Sequence, residues 1–511
     1  MLLIKSRDTR TTDSTLLNSQ QHGRALRIKN IGIGVLTALS AAIFASTSFA
    51  APPPIAIAAG STDGSAAPTP GVFGFLDTIN RSSGLLGDMW GLRTDLSKYG
   101  MTFSLQETSE SLGNVTGGTQ KGFVYDGLTQ AVLQLNTQRA FGHYGGLFNI
   151  SALQIHGQSV SVNNLQSLQT ASGIEADRGF RLWEMWYDQK FLDEDRLDIK
   201  IGQQSVDQEF IVSSNALMFV NTMFGWPMLP SADMPGGGPA YPLSALGVRV
   251  AARPVNGVAV LAGVFNGSPT GNSNPGDSQR QNQHGTSFPL GDGTLSMLEL
   301  QFSYPTLGSM VMADDTPPLG WTYRIGAWYN SEPFSDQRFN QAGLPLANPV
   351  NDQNPLRHHG NFSYYAVADQ LVWRDSKELN RTLAVFARVM ASPLSDRNLI
   401  DRSINAGVVL HCPFAYRTAD TIGFGVGYAH VSSHAAGLNQ DTTTYTGAYS
   451  PTRTSETFAE LTYQYQVKPW LQIQPDLQYV VNPGGGIENQ SHPGTRIKNE
   501  LVLGLRTNIS F

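Results

Sequence analysis

The C-terminal residues Leu501–Phe511 alternate. Leu501, Leu503, Leu505, Thr507, Ile509 and Phe511 fall on one side of an extended chain. Gly504, Arg506, Asn508 and Ser510 fall on the other, and Val502 breaks the pattern. Strand side chains point to alternate faces, so this is a strand with one oily and one wet face. About sixteen such segments follow one another from Tyr99 onward. They lie near 99–110, 124–137, 146–156, 180–191, 196–205, 245–253, 256–266, 295–304, 321–330, 362–374, 380–392, 402–411, 420–431, 455–467, 469–481 and 500–511. Most are close to the about 9–11 residues of a tilted membrane strand. The pattern predicts an all-β fold: a transmembrane antiparallel β-barrel of about 16 strands spanning residues 84–511. A short helix is expected within "SSGLLGDMWGLRTDLSKYG" (Ser82–Gly100), ahead of the first strand.

The connections support a barrel. Short turns ("RAFGHYG", "LDEDR", "PVN", "RDSKELN", "KP") alternate with long loops such as 157–179, 206–244, 267–294, 331–361 and 432–454. An up-and-down barrel gives this alternation when one rim carries loops and the other only turns. The connection 305–320 is too long for a tight turn and fits the scheme least. An even strand number puts both termini on one rim. With a secreted N-terminus, the turns then face the periplasm and the loops the exterior. The last strand closes the barrel against the first, because an open edge in hydrocarbon leaves backbone groups without partners.

Composition narrows the solvent. Charged residues are 14% of the chain, against roughly 25% in soluble proteins, and Gly is abundant at 52. Beyond the N-terminus, no apolar run reaches the length of a helical span. The formal net charge of −6 excludes the basic footprint of a nucleic-acid binder. The one cysteine, Cys412, permits no disulfide within the chain and speaks against a Cys-based metal site. No cofactor motif is found. At the N-terminus, Arg24, Arg27 and Lys29 precede the apolar Ile31–Ala45, and Ser48 and Ala50 occupy small-residue cleavage positions. Residues 1–50 are therefore expected to be a secretory signal peptide. Residues 51–83 are expected to be a Pro/Ala-rich periplasmic linker and N-terminal segment.

Parity on each strand assigns a candidate inner face. Trp183, Met185 and Tyr187 are expected outward, which turns Glu184, Trp186 and Asp188 in. Leu197, Ile199 and Ile201 outward leave Asp198 and Lys200 inside. The same reasoning puts Arg249, Glu299, Arg324, Trp328, Arg388, Glu460, Asp476 and Arg506 on the lumen, with Gln464, Gln472, Gln474 and Gln478. Both charge signs, many amides and indole faces suit a sugar, which needs in-plane hydrogen bonds and a flat apolar surface. A phosphate pore would need an excess of Lys and Arg, which is absent. For any single charge the alternative is a wall salt bridge. The Gly- and Pro-rich loop 206–244 either folds into the lumen or caps it from outside.

Four stretches carry a family resemblance. They are "ETFAELTYQYQVKPWLQIQPDLQYVVNPGGG" (Glu456–Gly486), "RLWEMWYDQKF" (Arg181–Phe191), "LDIKIGQQSVDQEF" (Leu197–Phe210) and "YRTADTIGFGVGYAHVS" (Tyr416–Ser432). Together they resemble the carbohydrate-selective porins of the OprB type. That resemblance implies an outer-membrane barrel passing sugars by diffusion. Gln203 and Gln204 depart from the family, standing where a Gly-Lys step is common. The expectation is a sugar porin, not an enzyme, partnered by sugars, outer-membrane lipid and the barrel-assembly machinery. The alternatives are a general diffusion pore with weak cation preference, a barrel lipid hydrolase (for which "SSH" at 432–434 is a weak match), and a soluble secreted lectin.

Overall fold

The computed structural model describes residues 84–271, 277–305 and 317–511. The predicted leader and the whole of the linker segment lie outside them, as does most of the 305–320 connection. Sixteen strands close into one barrel in which every strand pairs antiparallel with its neighbours in sequence, and β1 pairs with β16. They are β1 (Met101–Thr116), β2 (Gly122–Asn136), β3 (Gly146–Gly157), β4 (Gly179–Phe191), β5 (Leu197–Gln204), β6 (Ala245–Val255), β7 (Val258–Asn266) and β8 (Thr294–Tyr304). The second half comprises β9 (Trp321–Asn340), β10 (Pro355–Arg374), β11 (Thr382–Ala391), β12 (Ile400–His411), β13 (Thr421–Val431), β14 (Ser455–Lys468), β15 (Leu471–Val481) and β16 (Glu500–Ser510).

All sixteen predicted strands are present. β1, β9 and β10 run longer than the pattern suggested, since hydrogen bonding continues past the apolar band. The expected N-terminal helix is Leu92–Lys98, and a helix at Ser433–Thr446 fills much of the loop after β13. Ser432 of "SSH" caps that helix, its hydroxyl accepting from Ala435 N at 3.3 Å, and is fully buried. At the closure, Phe511 N donates to Leu105 O at 2.9 Å.

One parity assignment is corrected. Ser151 pairs with Glu184 but Ala152 pairs with Leu182, so Trp183 is the extra residue of a β-bulge. A bulge flips the face of what precedes it. Trp183 therefore points inward at 2% exposure, packed edge-on to Tyr241 at 6.2 Å. Arg181 turns inward with it.

The core is inside the barrel. The loop 205–244 enters the lumen, and its Phe210, Ile211, Phe219, Met223, Phe224 and Leu229 are buried against the wall. Val502, the exception in the terminal strand, is one of these contacts: it packs inward with Leu112, Leu165 and Val220. The glycine strand β13 makes room for the loop. A Cβ at Gly425 would sit 2.5 Å from the Phe224 ring, and one at Gly423 would sit 2.7 Å from Met218 Sδ.

Candidate functional site

A loop crossing the lumen has no ladder to satisfy its backbone, and a buried amide or carbonyl needs a partner. Here the wall supplies it. Glu460 accepts from Val220 N at 2.6 Å and Asn221 N at 3.0 Å. Asp369 accepts from Ser213 Oγ at 2.6 Å and Asn215 N at 3.2 Å, and is held by Arg324 at 3.0 Å. Glu299 accepts from Ile211 N at 2.9 Å and from the Tyr365 hydroxyl at 2.8 Å, and Glu184 accepts from Ser205 N at 2.9 Å. Arg388 works on the carbonyls: it donates to Ile211 O at 2.9 Å, to Gly225 O and Phe224 O at 3.1 Å, and to Met223 O. Aromatic packing completes the attachment, with Phe219 and Phe224 at 4.3 Å and Phe224 against Phe458 at 5.3 Å.

The charges of β4–β6 form a compact cluster. Arg249 bonds Asp198 and Glu209 and lies 3.7 Å from Asp188; Lys200 also bonds Glu209 and sits 4.3 Å over the Trp186 ring. Glu209 belongs to the loop, so this cluster too holds the loop to the wall. Gln203 donates to Trp183 O, Ser244 Oγ and Gly285 O at 2.8–3.2 Å. The departure from the Gly-Lys step thus ties down the far end of the loop. Asp233, on the loop, accepts from Leu399 N at 2.7 Å and Ile400 N at 3.3 Å, and burial pushes its carboxyl well above the usual range.

The other side of the lumen differs. Between the loop and strands β14, β15, β16, β1 and β2 lies a cavity of about 530 Å³, reaching the short-turn rim at Pro469 and Trp470. The strands give its wall a row of uncharged hydrogen-bonding groups, to which Asp207 of the loop and Arg506 of β16 add charge. Gln106 donates to Thr108 at 3.5 Å, Thr108 to Asn508 at 2.8 Å, Asn508 to Gln472 at 3.0 Å and Gln472 to Gln466 at 3.3 Å. Gln130, Gln464 and Gln474 extend it, and Trp183, Trp226, Tyr241 and Trp470 add aromatic surface.

Of the residues parity put on the lumen, Gln464, Gln472, Gln474 and Arg506 border this cavity, the Arg506 guanidinium paired with Glu110. Glu184, Asp188, Lys200, Arg249, Glu299, Arg324, Arg388 and Glu460 are inward, bonded to the loop or to each other. Asp476 accepts from Gln478 at 2.8 Å beside Glu460, and Trp328 is buried with its indole N–H unpartnered. The sequence reading missed Gln106, Thr108 and Gln130. Gln and Thr at alternate positions of "LQETSE" were the available signal, but Glu107 and Ser109 on the opposite parity erase the oily face that would have oriented β1.

The model of the carbohydrate-selective porins, OprB family, matches residues 120–511. The chain belongs to this family. It is 25% identical over 450 residues to Porin B of Pseudomonas aeruginosa, covering 84% of this chain and 92% of that one. A high-pH structure of OprB from Pseudomonas putida superposes with a TM-score of 0.71 at 25% identity, covering 84% of this chain and 99% of that one. The protein is thus an integral β-barrel of the outer membrane, a channel rather than an enzyme, in a family of sugar porins.

Proposed function

We propose that this porin conducts neutral monosaccharides of the glucose type and related sugars by facilitated diffusion along its amide wall. The carrying observation is the hydrogen-bonded row from Gln106 to Gln466 beside aromatic faces. Amides both donate and accept in a plane, which matches adjacent sugar hydroxyls, and they add no charge that would favour an ion. Flux needs weak binding, since a tight site blocks passage. Millimolar affinity, about −4 kcal/mol, is therefore expected.

In this reading Arg506 touches the passing sugar with the amides. Glu184, Trp186, Asp188, Lys200, Arg249, Glu299, Arg324, Trp328, Arg388, Glu460 and Asp476 set the width of the passage through the loop they hold or pack beside. The long-loop rim faces the exterior, the apolar outer face lies in outer-membrane lipid, and the barrel-assembly machinery inserts the chain after export by its leader. Current through single channels in planar bilayers tests the proposal. Glucose should block at millimolar concentration and a sugar acid should block less. A current indifferent to every neutral sugar would leave a general diffusion pore instead.

A further inference from the structure

Strands β9 and β10 run on past the apolar band at the long-loop rim, and side chains from four elements meet there. Asp336 is on β9, His358 on β10, Asp396 on the connection 392–399 between β11 and β12, and His434 in the first turn of the helix Ser433–Thr446. His358 Nε2 lies 2.8 Å from Asp336 Oδ2, and His358 Nδ1 lies 3.7 Å from Asp396 Oδ2. His434 Nδ1 lies 3.6 Å from Asp336 Oδ1 and is buried without a hydrogen-bond partner. The Asp336 side chain itself is 3% exposed.

A neutral imidazole carries one N–H and one bare lone pair. His358 turns both ring nitrogens to carboxylates, so either neutral tautomer sets a lone pair against one of them. The imidazolium, with two N–H groups, answers both. Neighbouring cations are engaged elsewhere. Arg397 pairs with Asp396 at 2.9 Å, Arg338 with Asp441 at 2.7 and 2.9 Å, and Arg357 bonds Ser335 Oγ at 2.8 Å. Further along the rim, Asp401 pairs with His430 and Arg402. Among the described residues, the ion pairs of Asp336 are those with the two imidazoles.

The contacts run on to the constriction. Gln337 N donates to Asp396 O at 2.7 Å and Ser432 N to Leu399 O at 2.9 Å, while Leu399 N donates to Asp233 of the lumen loop at 2.7 Å. The connection 392–399 therefore joins the histidines to the loop inside the barrel.

We propose that Asp336, His358, Asp396 and His434 form a clasp that closes when the imidazoles take up protons, and that the closed clasp steadies the lumen loop through 392–399. Imidazole is the side chain whose charge changes between about pH 5 and 8. In acid an N–H meets each carboxylate. Towards alkaline pH a lone pair replaces one of them, and the helix and the connection loosen from β9 and β10.

Ion current through single full-length pores in planar bilayers tests the clasp. It is recorded without sugar and with EDTA, so neither the cargo nor a stray metal ion enters the result. Brief closures should be about threefold rarer at about pH 5.5 than at about pH 7.5. His358→Gln combined with His434→Gln should close often at both. Ser395 and Ser433 Oγ lie 3.3 Å apart across the clasp. Ser395→Cys with Ser433→Cys, oxidised, should therefore close rarely at both, and Cys412, buried at 1% exposure, does not compete. An unmodified pore indifferent to pH overturns the inference. So does a histidine-substituted pore that keeps the dependence, which would then belong to Asp233. If that variant does not fold, the disulfide pore decides: a pH dependence that survives the bond refutes the clasp.

Discussion

The two sides of the lumen use polar side chains for different ends. From β4 to β11 the inward groups are charged and buried, and their partners are the loop's own amides, carbonyls and Glu209. From β14 through β16 to β2, below the Glu460 anchor, they are mostly amides and hydroxyls that bond one another and border open space, with the Arg506–Glu110 pair the charged exception. A buried charge stripped of its partner is expensive, so the first side cannot be left empty. Neutral amides can exchange one partner for another at little net cost, so the second side can serve a transient guest. A pore that holds a rigid constriction and also releases its cargo needs both kinds of surface.

The largest expected effect comes from breaking the anchoring side. Arg388→Ala frees carbonyls of Ile211, Phe224 and Gly225 and should cost about 3 kcal/mol or more. The barrel should persist while the loop loosens, so single-channel conductance should rise. Unchanged conductance in a folded variant would mean that the loop stays put without its guanidinium. Next, Gly425→Leu should overpack the Phe219–Phe224 pair and cost about 1–3 kcal/mol, read as a lower temperature for the heat-induced gel shift.

The amide side should respond differently. Gln472→Ala or Asn508→Ala removes one hydrogen bond to sugar, worth about 1 kcal/mol, and should weaken glucose block about fivefold. Conductance should barely move, because the loop is untouched. A change in conductance with no change in block would reverse the roles assigned to the two walls.

The smallest effect concerns pH. The Asp233 carboxyl titrates well above its unfolded range because burial penalises its charged form. Its contribution is therefore fully present below pH about 4 and is lost as pH rises through the folded value. Asp233→Asn should flatten this part of the stability profile, measured as the midpoint of the gel shift against pH. An unchanged slope would place the titration elsewhere.

Strand number, strand order and loop alternation were legible because the lipid-facing period repeats along nearly every strand. The inward direction of Glu460, Arg388 and Arg249 followed from the same period. What those residues bond to was not legible, since their partners lie far away in sequence, 240 residues apart for Val220 and Glu460. Trp183 was misdirected because a bulge inserts a residue that no two-residue period can register. The amide row on β1 stayed hidden for a different reason: the outer face of that strand is itself polar, so the contrast that orients a strand was missing.

The position of the cavity makes the pore lopsided. Its lining reaches Pro469 and Trp470, on the short-turn side of the loop. A molecule arriving from the long-loop rim must squeeze past the loop before any amide can greet it, whereas one arriving from the other rim meets the amides at once. Sugar applied to the two faces of an oriented bilayer should therefore interrupt the current at different frequencies, with interruptions of equal duration.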